Sequence, residues 1–261
     1  LYSSDIFIVC VPTPCSSAGI ADLSYIFSAV DQIVSVLNED DIIVIESTIP
    51  VGTCKEVEKY IKSKSNVINP LICHCPERVL PGSSINEILK NSRVIGGNRE
   101  GVSTKVMEFY KEWVHGDISL MSNEEAELVK LIENSYRDVN LAYANTISRI
   151  CNAFEISSKK IIKAANLHPR VSILDPGIGV GGHCIPVDPY FLISQLPDET
   201  KLLSTARHLN EFQPNFVTEK IINIVESFKL NYTIELLGIT YKENTSDIPL
   251  LEVLAKGLAF I

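Results

Sequence analysis

Short apolar runs alternate with amphipathic segments along the first part of the chain. Runs at 6–11 and 42–46 are rich in β-branched residues and have the length of buried strands. Apolar residues recur with helical spacing near 23–38 and 53–63. Strands that alternate with helices in this way are typical of a parallel sheet. We therefore predict an α/β domain over residues 1–120.

The pattern becomes helical in the middle of the chain. Residues 123–165 show helical spacing of apolar positions with few prolines or glycines. A second helical stretch covers about 198–228, where we expect a break at Pro214, because proline removes a helical hydrogen bond. These segments predict a separate all-helical domain over residues 121–228.

Apolar runs lie close to both ends of the sequence. The run at 6–11 follows soon after Leu1, and a new strand-like run occupies 232–239 shortly before the last residue. We expect residues 229–261 to be the start of a third domain, and the chain to be a piece of a longer protein.

Composition narrows the functional classes. The formal net charge of −9 argues against nucleic-acid binding, which relies on clustered lysine and arginine. The apolar stretches are far shorter than the roughly 20 residues of a membrane span. The seven cysteines are scattered, and no secretory signal is visible. We therefore expect a cytoplasmic protein that binds neither nucleic acid nor membranes.

Cys184 lies within the proline- and glycine-rich segment 176–188. The glycines allow a ligand to lie against the main chain, and a thiolate at its edge is a good nucleophile for an aldehyde carbon. Asp188, four residues on, can orient a neighbouring base or water. The alternative is a buried structural cysteine, since free cysteine is among the most buried residues.

Lys130, Asn134 and Arg137 have the spacing of a single helix face. Together they can stabilise an oxyanion and bind a sugar hydroxyl. The alternative is an ordinary solvated face.

Two loops follow predicted strands directly. Residues 12–14 and 47–52 therefore lie at the carboxyl ends of the sheet, where open α/β folds bind ligands. Residues 73–75 read Cys-His-Cys, but no second Cys/His pair has zinc-site spacing, so we expect no metal.

Three motifs resemble the UDP-glucose/UDP-mannuronate dehydrogenase family. They are Gly-Val-Gly-Gly-His-Cys at 179–184, Cys-Pro-Glu-Arg-Val-Leu-Pro-Gly at 75–82 and His-Pro-Arg-Val at 168–171. Pro81 stands where UDP-glucose enzymes of the family typically have a glutamate, so the motifs most resemble the UDP-N-acetylmannosamine dehydrogenase branch. The resemblance implies part of a Rossmann-like NAD-binding domain, a central helical domain and the start of a second Rossmann-like domain that binds UDP.

The resemblance also implies a reaction and its residues. NAD-dependent oxidation of the C6 alcohol of a UDP-sugar would pass through a thiohemiacetal and a thioester on Cys184, with Lys130 as acid/base group. The implied catalytic residues are Cys184, Lys130, Asp188, Asn134 and Glu77. The implied cofactor contacts are Thr13 and Thr48. The implied substrate contacts are Arg78, Val79, Lys130, Asn134, Arg137, His168, Arg170, Gly181, Tyr241 and Lys242.

Some features depart from the family or leave alternatives open. The Gly-x-Gly-x-x-Gly turn and most of the UDP-binding domain are absent, and Pro249 stands where an arginine is usual. Taken alone, Glu77, His168 and Arg170 could be surface charges. The alternatives are an inactive truncated homologue, or UDP-glucose or UDP-N-acetylglucosamine as substrate. The resemblance further implies a homodimer formed through the central helical domain.

Overall fold

The structure is a computed structural model that describes residues 2–79 and 84–228. Within these residues it contains five strands and eight helices. In chain order they are β1 (Ile6–Val9), α1 (Ser24–Val34), β2 (Ile42–Ile45), α2 (Thr53–Lys64), β3 (Leu71–His74), α3 (Ser84–Lys90), β4 (Arg93–Gly97), α4 (Val102–Lys111), β5 (Ile118–Ser122), α5 (Asn123–Ala153), α6 (Ser158–Ala165), α7 (Asp188–Gln195) and α8 (Lys201–Ser227).

The chain divides into two compact units. The sheet unit comprises Leu1–Glu133 together with Tyr190–Gln195. The helical unit comprises Asn134–Pro189 and the residues from Leu196 onwards. The domain boundaries expected from the sequence stay predictions. The expected third domain, with Tyr241, Lys242 and Pro249, lies outside the described residues.

Among its described residues, the sheet unit has one five-stranded sheet in the order β1-β2-β3-β4-β5. The pairs β1/β2, β2/β3 and β4/β5 are parallel, which confirms the predicted α/β class. The pair β3/β4 is antiparallel, which the sequence did not predict. A strand buries the same alternating side chains in either direction, so its apolar pattern carries no information on direction.

Helices cover both faces of this sheet. Every residue of β2 is buried, as in a strand covered on both sides. On one face, Ile43 and Ile45 pack in a cluster with α1 and α2. On the other face, Ile42 and Val44 pack with α4. These apolar clusters hold the carboxyl ends of the strands in place.

The first residue of α5 is hydrogen-bonded to β3 of the sheet. Asn123 accepts a hydrogen bond from the His74 backbone N–H at 3.0 Å and donates to the Ile72 carbonyl at 3.1 Å. A Cβ on Gly96 would lie 2.7 Å from the Cα of Asn123, the first residue of α5. Only glycine at this position lets β4 approach α5 so closely.

In the helical unit, α8 runs without interruption from Lys201 to Ser227, so the expected break at Pro214 is wrong. Proline removes one helical hydrogen bond, but Pro214 itself is buried, as are Asn210, Gln213 and Thr218 around it. Burial of this face keeps the helix continuous despite the missing bond.

Candidate active site

The loops after β1 and β2 are tied together at the carboxyl edge of the sheet. Ser47 Oγ accepts a hydrogen bond from the Val11 backbone N–H at 2.8 Å and donates to the Val11 carbonyl at 2.7 Å. Thr13 and Thr48, the two predicted cofactor contacts, lie in these loops and are both half-buried. The sheet edge therefore presents two partly accessible hydroxyl side chains.

The first turn of α2, beside this edge, is already occupied by a carboxylate. Glu127 is fully buried and accepts hydrogen bonds from the backbone N–H groups of Gly52 at 2.6 Å and Cys54 at 2.8 Å. Its burial raises the pKa of Glu127 in spite of these two donors. The N-terminus of α2 is therefore satisfied from within the protein and is not a free phosphate site.

The buried face of α5 carries the predicted polar stripe. Lys130 is 8% exposed and Asn134 is 6% exposed, so neither lies on a solvated face. Arg137 is exposed, so the alternative of an ordinary solvated face holds for this residue. Asn123 and Glu127 lie on the same helix face as Lys130, at i and i+4 when Lys130 is i+7. These two residues were not named as site candidates from the sequence, although their spacing indicated it.

Glu77 lies in the sheet unit close enough to Lys130 for their charges to interact. Burial raises the pKa of Glu77, while the positive charge of Lys130 opposes that rise. The Glu77 side chain accepts a hydrogen bond from the Val79 backbone N–H. Glu77 is thus a half-buried carboxyl with a fixed position, and not a surface charge.

Arg78 is engaged by a carboxylate of α5. Its Nε and its terminal nitrogen donate to the two carboxylate oxygens of Glu133, a paired arrangement favoured for arginine. A further nitrogen donates to the Ser92 carbonyl at 2.8 Å. These three bonds leave two of the five guanidinium N–H donors of Arg78 for a further acceptor.

The burial of His74 was not predicted from the sequence. The residue is completely buried, and its Nδ1 lies 2.9 Å from the Ile45 carbonyl, which identifies Nδ1 as the protonated nitrogen. Burial lowers the pKa of His74 to about 3, with a smaller contribution from the charge of Lys130. The side chain is therefore neutral at physiological pH.

In the helical unit, the glycine-rich segment is anchored at Asp188. Asn134 Nδ2 donates to Asp188 Oδ2 at 2.5 Å, and both residues are buried. The backbone N–H groups of Val187 and Asp188 donate to the Cys184 carbonyl at 3.0 and 2.9 Å. Cys184 itself is exposed, so the alternative of a buried structural cysteine is wrong.

The remaining predicted contacts of the helical unit lie at its surface. Gly181 is half-buried, and its neighbour Gly182 has φ 89°, a conformation that favours glycine. His168 and Arg170 are exposed, and the Arg170 backbone N–H donates to His168 Nδ1 at 3.3 Å. The structure therefore brings together Asn134, Asp188 and the Cys184 backbone, while His168 and Arg170 form a separate exposed turn.

Two negative findings apply to the described residues. No group of three or more His, Cys, Asp or Glu side chains there is arranged to hold a metal ion. None of the helices there has the length and apolar character needed to cross a membrane.

The sheet unit has helices on both faces of its sheet and loops at the carboxyl ends of parallel strands, which is typical of nucleotide-binding α/β domains. Residues 1–114 match the sequence model of the UDP-glucose/GDP-mannose dehydrogenase family, NAD binding domain, and residues 124–212 match the central domain of the same family. The chain belongs to the UDP-glucose/GDP-mannose dehydrogenase family. The match of residues 1–114 to an NAD binding domain indicates NAD as the cofactor.

The chain is similar in sequence to several proteins named as nucleotide-sugar dehydrogenases. It is 44% identical over 247 residues to a UDP-N-acetyl-D-mannosamine dehydrogenase of Methanocaldococcus jannaschii, covering 94% of this chain and 56% of that protein. It is 40% identical over 267 residues to a protein of the same name from Campylobacter jejuni, covering 97% and 65%. The chain therefore spans less than two thirds of the length of these relatives.

Solved structures agree with the fold. The structure of a UDP-D-ManNAc dehydrogenase from Pyrococcus horikoshii matches with a TM-score of 0.90 at 36% identity, covering 98% of this chain and 63% of that one. The native UDP-N-acetyl-mannosamine dehydrogenase Cap5O from Staphylococcus aureus matches with a TM-score of 0.88 at 36% identity, covering 100% and 63%. These matches support the predicted Rossmann-like and helical domains.

Proposed function

We propose that this chain is the part of an NAD-dependent dehydrogenase that oxidises the C6 alcohol of UDP-N-acetyl-D-mannosamine to UDP-N-acetyl-D-mannosaminuronate. The relatives with this name support the substrate. The observation that carries the proposal is the exposed Cys184 beside the buried Asp188–Asn134 hydrogen bond. That arrangement suits covalent catalysis, because a fixed main chain presents an accessible thiol.

The proposed chemistry removes two hydrides from C6. The first removal converts the alcohol to an aldehyde, and the Cys184 thiolate adds to its carbon to give a thiohemiacetal. Loss of the second hydride from this adduct gives a thioester. Water then attacks the thioester carbon, which releases the carboxylate and returns the thiol. Bound NAD supplies the acceptor for each hydride.

Lys130 and Asn134 are proposed to assist the chemistry at the C6 oxygen of the substrate. In its neutral amine form Lys130 takes the proton of the alcohol as the hydride leaves, and the ammonium so formed stabilises the negative oxygen of the thiohemiacetal. Asn134 holds Asp188, and Asp188 orients the hydrolytic water or a neighbouring base. Glu77 is proposed to act next to Lys130, whose charge interacts with the Glu77 carboxyl.

Thr13 and Thr48 are proposed to contact the cofactor. Both are hydroxyl side chains at the carboxyl edge of the sheet, where doubly wound folds bind dinucleotides. Glu127 already satisfies the N-terminus of α2, so this edge suits an uncharged part of NAD and not its pyrophosphate. The residues present therefore fit one portion of the cofactor.

The UDP-sugar is proposed to contact a further set of side chains. Arg78 would exchange the Glu133 carboxylate for an anionic group of the substrate, since the guanidinium pairs well with either. The remaining proposed contacts in the described residues are Val79, Lys130, Asn134, Arg137, His168, Arg170 and Gly181.

The proposal is tested by turnover in the full-length protein. With UDP-N-acetyl-D-mannosamine and NAD, we expect two NADH per sugar from the wild type. Replacing the nucleophile in Cys184→Ser should reduce kcat by roughly 10³-fold or more. The matched control is Cys10→Ser, which alters another exposed cysteine and should retain activity. Equal activity of Cys184→Ser and wild type would contradict the covalent mechanism.

Parallel assays with UDP-glucose and UDP-N-acetylglucosamine test the substrate. The highest kcat/KM is expected for UDP-N-acetyl-D-mannosamine. A higher value for either other sugar would reassign the substrate. No turnover of any of the three by the wild type would favour an inactive homologue.

We also propose that the protein is a cytoplasmic homodimer that pairs through α5. Tyr136, Tyr143 and Ile150 repeat every seven residues on this helix and are 69%, 53% and 46% exposed. Such an exposed apolar stripe fits a second copy of the chain better than water. Light scattering of the Tyr143→Glu variant should show a monomer, and a dimer of unchanged affinity would contradict this interface.

A further inference from the structure

Gly177, near the start of the glycine-rich segment, is held on both sides of its backbone by buried amide side chains. Asn145 Oδ1 of α5 accepts the Gly177 N–H at 2.9 Å. Gln213 Nε2 of α8 donates to the Gly177 carbonyl at 3.0 Å. Gly177 is exposed, whereas Asn145 and Gln213 are only 1% and 2% exposed. Two helices therefore hold both peptide groups that flank the Cα of Gly177 at the surface.

These two contacts belong to a longer hydrogen-bonded network. Asn145 Nδ2 donates to Asn210 Oδ1 at 3.2 Å. Asn210 Nδ2 donates to the Asp138 carboxylate at 2.8 Å and to the Asp138 backbone carbonyl at 2.9 Å. Asp138 Oδ1 lies 3.2 Å from a guanidinium nitrogen of Arg207. The network thus runs from a buried ion pair to the exposed Gly177.

Helical spacing brings the members of the network together. Asp138 and Asn145 are seven residues apart on α5, and Arg207, Asn210 and Gln213 follow at intervals of three on α8. All five side chains are almost fully buried. Apolar residues of similar volume would stabilise two packed helices at least as well. Stability alone therefore does not account for five polar groups at this position.

The orientation of the Gln213 amide indicates what the network does. Within the described residues, Gln213 Oε1 has no hydrogen-bond partner, while Nε2 faces the Gly177 carbonyl. The side chain thus leaves an acceptor unsatisfied in order to donate to the loop. A buried acceptor without a partner is costly, so the bond to the Gly177 carbonyl explains a glutamine at this position better than stability does.

We propose that Asn145, Asn210 and Gln213 are positioning residues that fix the glycine-rich loop at Gly177 and so place the Cys184 thiol for attack. The loop is then anchored at both ends, at Gly177 and at Asp188. The glycines between these anchors have high conformational freedom and need such restraint. The inference rests on the proposed role of Cys184 as nucleophile.

Two variants of the full-length protein test it. Gln213→Met removes only the donor to the Gly177 carbonyl. Asn145→Leu removes the acceptor of the Gly177 N–H together with the donor to Asn210. The matched control is Asn215→Met, an exposed position two residues along α8. We expect both network variants to lower kcat by about 10-fold to 100-fold, as a misplaced reacting group does, with a smaller change in KM. Alkylation of Cys184 by iodoacetamide should stay within about twofold of wild type, because a freely diffusing reagent needs no alignment.

Hydrogen exchange of the loop gives a readout that does not depend on activity. Exchange of the backbone N–H groups at 177–184 should be about tenfold faster or more in both variants, and unchanged in Asn215→Met. Faster exchange in an enzyme that turns over no sugar would support the anchoring while the proposed function fails. Unchanged exchange, or a kcat equal to that of Asn215→Met, would overturn the inference. If Asn145→Leu does not fold, Gln213→Met decides alone, since it breaks a single bond at the edge of the network.

Discussion

The two units of this protein differ in the main content of their interiors, although the sheet unit also buries polar side chains such as Glu127 and His74. The sheet unit is centred on aliphatic side chains such as Ile43, Ile45 and Ile72, each at most 1% exposed. The interior of the helical unit contains Asp138 and Arg207, together with amide side chains of α5 and α8. Apolar burial is non-directional, so it holds strands and helices together without orienting a particular group. Hydrogen bonds are directional, and they place one loop at one position.

The largest expected effect comes from breaking the polar interior. Asp138→Ala leaves the buried Arg207 without its carboxylate and should lower the free energy of unfolding by about 3–5 kcal/mol. The measurement is denaturant unfolding of the full-length protein. The control Glu58→Ala removes a carboxylate whose pairs with Lys62 and Arg99 are nearer the surface, and should cost about 1 kcal/mol or less.

Replacing both members of the ion pair tests whether the loss in Asp138→Ala comes from the unpaired charge of Arg207. Asp138→Leu combined with Arg207→Met should recover much of the loss in the free energy of unfolding, because neither variant residue is charged. If the double variant is as unstable as Asp138→Ala, the ion pair itself stabilises the unit and the comparison of interiors fails.

The apolar interior is tested by Ile45→Ala in β2. Ile45 is completely buried, so the cavity should lower the free energy of unfolding by about 3 kcal/mol. Ile8, in β1, is 43% exposed in the described structure, and Ile8→Ala should cost about 0.5 kcal/mol or less. Equal losses at these two positions would show that the centre of the sheet is not where the stability lies.

A pH effect is expected from the buried His74. Its pKa is about 3 in the folded state, so below the ordinary value of 6.5 only the unfolded state takes up a proton. The free energy of unfolding therefore falls as pH drops from about 6.5 towards 3, by up to about 1.4 kcal/mol per pH unit. His74→Gln should remove this contribution in unfolding experiments at several pH values. Parallel curves for variant and wild type would contradict it.

The smallest effect is expected at a helix terminus of the helical unit. Ser157 caps α6, where its hydroxyl accepts a hydrogen bond from the Lys160 N–H. Ser157→Ala should lower the free energy of unfolding by about 1 kcal/mol. Ser158→Ala, one residue into the helix, should change it by about 0.5 kcal/mol or less. A thermal or denaturant melt of both variants checks this difference.

Much of the fold could be predicted because its signals are local. The all-buried run of β2 and the helical spacing of α5 follow from the periodicity of apolar residues. Pro214 was misjudged, since a local rule for proline takes no account of the buried face that keeps α8 continuous. The direction of β4 could not be predicted for the same reason, because its partner strands decide it.

The candidate site was predictable only in part. Spacing placed Lys130, Asn134 and Arg137 on one face of α5, but it could not show that the first two are buried and the third exposed. That difference depends on which residues, distant in sequence, cover each turn of the helix. The motif around Cys184 was recognisable from its residues, and its exposure agrees with the predicted chemistry.

The sequence by itself determined the alternation of elements, the family and the residues that carry the proposed chemistry. Tertiary structure alone decided the partners of those residues. Glu127 caps a helix whose first turn lies 75 residues away, Arg78 pairs with Glu133, and Gln213 holds Gly177. The physical reason is the separation of the interacting residues along the sequence. Hydrophobic periodicity is written in neighbouring residues, whereas a hydrogen bond forms only when packing brings two distant groups within about 3 Å.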